Sequence, residues 1–229
     1  MTKLREDPLL RDMVSVFEDR TDAGKRLAEL LAGYRDTAGI VLALPSGGVP
    51  VAAEIASALN LHLDLLIVRK VQIPDNPEAG FGAIGPDGEV LLNRELMKHL
   101  RLTDEKINIQ IEKTRKIIEK RNRIFRSGRP FPSVQGMVAI VVDDGLASGY
   151  TMLSAVRFLR KMSLKKLVAA VPTGSKKTVE ALVPEVDELV CLNVRSGPFF
   201  AVADAYRNWY DLTDKEVLSL IKRQARNPR

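Results

Sequence analysis

Two adjacent aspartates, Asp143 and Asp144, follow directly on the apolar run of residues 137–142 and precede a short turn, GLASGYT, of small and hydroxyl-bearing residues. Neighbouring carboxylates repel each other, so the pair needs solvation or a partner that donates to both. Ionised carboxylates only accept hydrogen bonds. The vicinal hydroxyls of a ribose are natural donors for them, and a hard divalent cation is the competing occupant. If Ser148, Gly149, Tyr150 and Thr151 open a helix, their N–H groups are unpaired donors at the positive end of its dipole. The hydroxyls of Ser148 and Thr151 extend that anion cradle. The stretch is not a Walker loop, because GxxxxGK followed by Ser or Thr is absent, and GLASG is one residue out of register with a GxSxG nucleophile elbow. Ser148 is therefore not a nucleophile.

Two other turns carry chemistry. LPSGGVP (44–50) presents Ser46 and the glycine pair Gly47 and Gly48, and the run LDLLIVRK (63–70) ends in Arg69 and Lys70. In open α/β sheets ligands bind beyond the carboxyl ends of the strands, at the topological switch point. These three turns form one pocket if the runs before them are parallel strands.

The elements that must position them follow from periodicity. Residues 12–33 read as a helix with a cap at Arg20-Thr21-Asp22 and a stripe of Leu27, Leu30 and Leu31. Residues 38–44, 63–70, 137–142, 164–174 and 187–194 read as buried strands, and 49–60, 149–161 and 175–182 as helices between them. Unbroken apolar runs, rather than alternation, predict a parallel sheet covered on both faces. Residues 71–93 hold three prolines and four glycines and read as a long excursion with a small hairpin at Pro86-Asp87-Gly88. Excursions of that length are often functional lids.

Composition narrows the function class. The 229 residues hold one cysteine, Cys191, and two distant histidines, His62 and His99. That argues against a disulfide framework, a zinc site or a His-dependent nucleophile, and makes Cys191 a buried structural thiol. The charged N-terminus and the lack of any long apolar run predict a soluble, cytoplasmic protein without membrane contact. The net charge of +6 is concentrated in residues 105–129, which hold nine Lys/Arg against three Glu. Ile107, Ile111, Ile118 and Ile124 give that segment one apolar helical stripe. Its basic face is a solvated surface, or a surface for phosphorylated substrates or RNA.

The motif VVDDGLASGYT resembles the 5-phosphoribosyl-1-pyrophosphate (PRPP) signature of the type I phosphoribosyltransferases, and LPSGGVPVA looks like their pyrophosphate loop, which contains a non-proline cis peptide. FEDRTDAGKRLAELL (17–31), NPEAGFGAIG (76–85) and PFFAVADAYRNWY (198–210) further resemble a poorly characterised subgroup of that family. The resemblance implies a single doubly wound α/β domain over 1–229, with a core at about 12–192, a flexible lid at 71–93, and a hood at 193–212 plus a C-terminal helix. It implies that Asp143 and Asp144 hold the ribose hydroxyls, Ala147, Ser148, Gly149, Tyr150 and Thr151 the 5-phosphate, and Ser46, Gly47 and Gly48 the pyrophosphate. Arg69 and Lys70 then neutralise the leaving group, and magnesium bridges ligand oxygens near Asp143 and Asp144. Phe199 and Phe200 stack on the acceptor or pack into a local core, while Trp209 and Tyr210 pack without a chemical role. A homodimer is expected.

The sequence departs from the family at two places. Ser46 stands where relatives often have Arg or Lys, and Ala147 where the 6-oxopurine enzymes have an acid, which argues against hypoxanthine or guanine. The expected activity is phosphoribosyl transfer to a nitrogen base or related small acceptor. The alternatives are a PRPP-sensing regulator or RNA-binding protein, and a phosphate-ester hydrolase with Asp143 and Asp144 as metal ligands.

Overall fold

The unbroken apolar runs owe their character to helices packed on both faces of one sheet. The computed structural model describes residues 3–226. In chain order the elements are β1 (Leu4–Arg5), α1 (Arg20–Leu30), β2 (Gly39–Ala43), α2 (Gly48–Leu59), β3 (His62–Leu65), β4 (Arg69–Ile73), β5 (Asn76–Ile84), β6 (Val90–Leu92), α3 (Arg94–His99), α4 (Asp104–Arg121), β7 (Val138–Val142), α5 (Tyr150–Arg160), β8 (Lys166–Ser175), α6 (Lys176–Leu182), β9 (Glu188–Arg195) and α7 (Asp214–Arg226). Six strands form a sheet in the order β1-β9-β8-β7-β2-β3, with every pairing parallel. Successive side chains on a strand point to opposite faces. Val41, Ala43, Ile140 and Val142 accordingly join a core with α1 and α2, while Ile40, Leu42, Ala139 and Val141 join another with α5 and α6.

The sheet is doubly wound, as expected. The chain leaves β2 in one direction through α2 to β3, and leaves β7 in the other through α5, β8, α6 and β9, so strand order reverses between β2 and β7. The loops after these two strands are neighbours, tied where Leu44 N–H donates to Val142 O at 2.9 Å. That reversal opens the crevice where such folds take their ligands.

Other expectations are corrected. The helix read over 12–33 begins at Arg20, with the Asp19 carboxylate capping it by accepting from Asp22 N–H at 2.8 Å. Residues 12–19 instead form a strap, in which Ser15 N–H donates to Asp204 O at 2.7 Å and Phe17 N–H to Ala205 O at 3.0 Å. Positive φ at Asp12 (59°) and Ser15 (51°) is incompatible with a helix there. The strand read over 63–70 is divided: β3 ends at Leu65, and Arg69 opens β4 of a separate antiparallel sheet, β4-β5-β6. Residues 71–93 are thus largely strand rather than loop, and the hairpin at Pro86-Asp87-Gly88 joins β5 to β6 with Gly88 at φ 80°.

The basic segment is helical to Arg121 and then widens into a π turn over Asn122–Arg126. Four lysines (Lys106, Lys113, Lys116, Lys120) and four acids (Asp104, Glu105, Glu112, Glu119) of α4 are exposed, and Arg115 reaches solvent beside Glu112. Beyond them Arg123 and Arg129 are exposed as well, while Arg121 and Arg126 turn inward. Arg126, buried, donates to Asp64 Oδ1 and Oδ2 at 2.8 and 3.1 Å and to Leu65 O at 2.8 Å. This bidentate pair ties the end of α4 to the carboxyl end of β3.

At the opposite end of the sheet, Glu188 accepts from Lys166 Nζ at 2.6 Å, from Arg5 Nη1 at 3.1 Å and from the Tyr34 hydroxyl. Burial alone would raise its pKa, but the hydrogen bonds from Lys166, Tyr34 and Arg5 hold it below the ordinary value. A depressed carboxylate stabilises the fold above its unfolded pKa of about 4.3 and loses that contribution as pH falls through the folded value. Glu188→Gln is therefore expected to cost about 1 to 2 kcal/mol at pH 7, a figure kept modest because Lys166 and Arg5 remain partly solvated. Urea midpoints should show the difference between the two proteins shrinking below about pH 4.

Candidate functional site

A cleft of about 940 Å³ opens over the carboxyl ends of β2 and β7. It brings together Ser46, Gly47, Arg69, Lys70, Asp143, Asp144, Ala147, Ser148, Gly149, Thr151 and Phe200 of the residues singled out in the sequence. Gly48, Tyr150 and Phe199 are not on its wall. Gly48 is packed behind it, where an added Cβ would lie 2.5 Å from Val142 O. Tyr150 packs against the core on the α5 side of the sheet. Phe199 is 88% exposed, so it does not pack into a local core.

The loop after β2 crosses the cleft with a cis peptide between Pro45 and Ser46, as the resemblance implies. Gly47 has to be glycine here, since a Cβ would sit 1.8 Å from Asp144 Oδ2. Close approach of backbone to carboxylate is what the missing side chain permits. The loop after β7 runs beside the end of β8, bonded through Leu146 N–H to Thr173 O at 2.9 Å and Ser175 N–H to Leu146 O at 3.0 Å. Gly149 takes φ 76° and starts α5, whose first helical hydrogen bond is from Leu153 N–H to Gly149 O at 2.8 Å. The amides of Tyr150, Thr151 and Met152 thus have no acceptor within the helix.

The two aspartates differ in their surroundings. Burial, and then the charge of Asp144, push the Asp143 carboxyl well above the usual range. Its Oδ1 accepts from Asp144 N–H at 2.9 Å. Burial also raises Asp144, although the charge and hydrogen bond of Arg20 oppose it. Arg20 Nε donates to Asp144 Oδ2 at 2.9 Å, Arg20 Nη1 donates to Tyr210 O at 2.8 Å, and the guanidinium lies 3.8 Å from the Trp209 ring centroid. Tyr206 Oη donates to Asp144 O at 2.6 Å. Trp209, expected only to pack, therefore faces a cation at the site.

Opposite the aspartates stand the cations. Arg121 of α4 donates to Pro45 O at 3.1 Å and to Ser46 Oγ at 3.3 Å. Burial and the nearby Arg69 lower its pKa, and burial lowers that of Arg69. Guanidinium stays charged even so. Arg69 Nε is buried without a hydrogen-bond partner, and the Lys70 stem passes over Gly80, where a Cβ would lie 2.2 Å from Lys70 Cγ. Arg121 is bonded to a carbonyl and a hydroxyl, and the charge of Asp214 acts on both half-buried guanidiniums without a hydrogen bond to either, which leaves them a seat for a polyanion.

Arg20, Arg121, Tyr206 and Trp209 were missed in the sequence. Arg121 was discoverable: it falls three residues after Ile118 and seven after Thr114, on the buried stripe of α4, where a solvated arginine has no reason to be. Arg20 was read as part of a helix cap, and nothing local distinguishes it from one.

Among the described residues no three His, Cys, Asp or Glu side chains are grouped to hold a metal ion. Asp143 and Asp144 suit the one or two carboxylates that magnesium takes beside phosphate and water oxygens, and do not suit an all-protein cage. No helix among the described residues is long and apolar enough to cross a membrane.

Comparison with known proteins gives the family of the fold. Residues 16–203 match the phosphoribosyl transferase domain model. Proteins from two strains of Mycobacterium tuberculosis, provisionally named as phosphoribosyl transferases, are 39% identical over 214 residues, covering 93% of this chain and 48% of theirs. The chain thus spans about half the length of these relatives. A crystal structure of a Thermus thermophilus protein superposes with a TM-score of 0.71 at 35% identity, covering 91% of this chain and 98% of that one. A Neisseria gonorrhoeae protein crystallised with ppGpp shares the fold at a TM-score of 0.50 and 14% identity, over 92% of this chain and 98% of that one. With the matched segment running from the strap through both loops of the cleft to the hood, the chain belongs to the phosphoribosyl transferase domain family.

Proposed function

We propose that the chain transfers the 5-phosphoribosyl group of PRPP to a nitrogen base or related small acceptor, with release of pyrophosphate. The observation that carries this reading is the meeting, in one cleft, of a carboxylate pair, an open helix start and a guanidinium pair. They match in order the ribose hydroxyls, the 5-phosphate and the pyrophosphate of one ligand. In this reading Asp143 and Asp144 accept from the ribose hydroxyls, and Ala147 to Thr151 hold the 5-phosphate. Ser46, Gly47, Arg69, Lys70 and Arg121 hold the pyrophosphate. Arg121 supplies the cation that Ser46 lacks.

The acceptor nitrogen attacks the anomeric carbon as the bond to pyrophosphate breaks. Positive charge grows on the ring and negative charge on the leaving oxygens, so catalysis is mainly positioning and electrostatic stabilisation. Asp143 or Asp144 would hold magnesium where it binds, and the ion would supply further neutralisation of the diphosphate. The β4-β5 hairpin, which contributes Lys70, Gln72, Asn76, Ala79 and Gly80 to the cleft, serves as a lid that excludes water. Phe200 and residues 201–203 form the acceptor wall.

Incubation with PRPP, magnesium and a panel of purines, pyrimidines and simple amines should give acceptor-dependent pyrophosphate and a new nucleotide mass. PRPP binding without release across the panel would favour the regulator. RNA binding that weakens steeply with salt would favour the RNA-binding form of the regulator.

A further inference from the structure

We infer that Arg20 is a positioning residue for Asp144, seated by the hood, and that this explains the two subgroup segments FEDRTDAG and AYRNWY, whose sequences the transfer reaction itself does not require. The inference rests on the ribose assignment proposed above. Arg20 is only 7% exposed. Its contacts are of different kinds: an ion pair to Asp144 Oδ2 (2.9 Å), a hydrogen bond to Tyr210 O (2.8 Å), the Trp209 face at 3.8 Å and the Tyr206 ring at 6.0 Å. Together they fix both the plane and the direction of the guanidinium, which a flexible ammonium would not satisfy.

The Asp144 residue is in turn gripped twice, at its carboxylate by Arg20 and at its carbonyl by the Tyr206 hydroxyl at 2.6 Å. Asp143 Oδ1 is occupied by Asp144 N–H. The two carboxyl groups also interact with each other through their side chains, so a shift of Asp144 is felt by Asp143. The strap bonds to the hood through Phe17 N–H to Ala205 O at 3.0 Å and Arg207 N–H to Phe17 O at 2.9 Å, and the Phe17 and Tyr206 rings lie 5.7 Å apart. The hood therefore sets the geometry of the ribose subsite through Arg20, which with Trp209 also lines the cleft wall beside Asp144.

The test separates the subsites. Ribose 5-phosphate and inorganic pyrophosphate, each with magnesium, are titrated calorimetrically into wild type and Arg20→Gln. The expected result is a loss of about tenfold or more in ribose 5-phosphate affinity, with pyrophosphate affinity changed less than about twofold. On an Asp144→Asn background, Arg20→Gln should cause no further loss, because the route through Asp144 is already cut. Equal losses for both ligands, no loss for either, or additive losses in the double variant would overturn the inference while leaving the PRPP reading in place. Wild type that binds neither compound would overturn that reading first, and the inference with it. If Arg20→Gln does not fold, Arg20→Lys keeps the charge and is expected to show the same selective loss in weaker form; unselective loss there would also overturn it.

Discussion

Arg121→Met is expected to lower kcat/KM for PRPP-dependent pyrophosphate release by about two to three orders of magnitude, with most of the loss in kcat. The reason is where the charge appears. Pyrophosphate gains negative charge as it departs, so a cation beside it is worth more in the transition state than in the bound ground state. Arg121 reaches the Pro45 carbonyl and the Ser46 hydroxyl from a neighbouring helix, and burial keeps its charge from being dissipated in water. Ser46 cannot supply that charge. Arg69 retains one guanidinium in the variant, which sets the residual rate. Arg121→Lys should fall between wild type and Met, because an ammonium lacks the fork that meets two oxygens at once. Steady-state pyrophosphate release, with ribose 5-phosphate affinity as the control for an intact ribose subsite, is the measurement. A loss under about threefold would remove Arg121 from the leaving-group seat.

The parts of the fold that were legible are those in which one physical constraint dominates. Burial on both faces makes β2 and β7 unbroken apolar runs, and the switch point follows from their connections. Ambiguity enters where burial and pairing part company. Leu66, Ile67 and Val68 are as buried as any strand residue, yet they leave the large sheet and carry the chain to the small one. Gly80 and Gly82 read as loop residues, but they sit in β5 because the Lys70 stem and Leu91 O pass too close for a Cβ. Residues 12–19 take their form from the hood, 190 positions away in sequence, and no local pattern encodes such a partner. The same holds for the site. Asp143, Asp144 and the glycine loops announce themselves through backbone chemistry at strand ends. Arg20 and Arg121 act from helices, where a charged side chain is read as solvated unless its position on the buried stripe is noticed.

Asp143→Asn should strengthen the fold and weaken the ligand. Burial first, and then the charge of Asp144, raise the folded pKa of Asp143 above its unfolded value of about 3.9. An acid raised in this way binds its proton more tightly in the folded protein. The ionised form opposes folding, and stability declines as pH climbs through the folded pKa. Asparagine has no such charge, and its Oδ1 can still accept from Asp144 N–H. The variant should therefore gain on the order of 1 kcal/mol at pH 7.5, and the gain should vanish toward pH 3 to 4, below both pKa values. Ligand affinity should move the other way. The side-chain amide offers a donor where the sugar hydroxyl needs an acceptor, and a charge-assisted hydrogen bond is lost, so PRPP binding is expected to weaken about tenfold to a hundredfold. A residue kept for the fold would instead lose stability on substitution. Urea midpoints at several pH values and PRPP titrations on the same preparations decide between the two, and a variant that is less stable but binds PRPP normally would show that the carboxylate pair is structural. The opposite pattern means that two like charges are held together at a cost to the fold for the ligand they bind, which is the trade expected of a binding site rather than of a core.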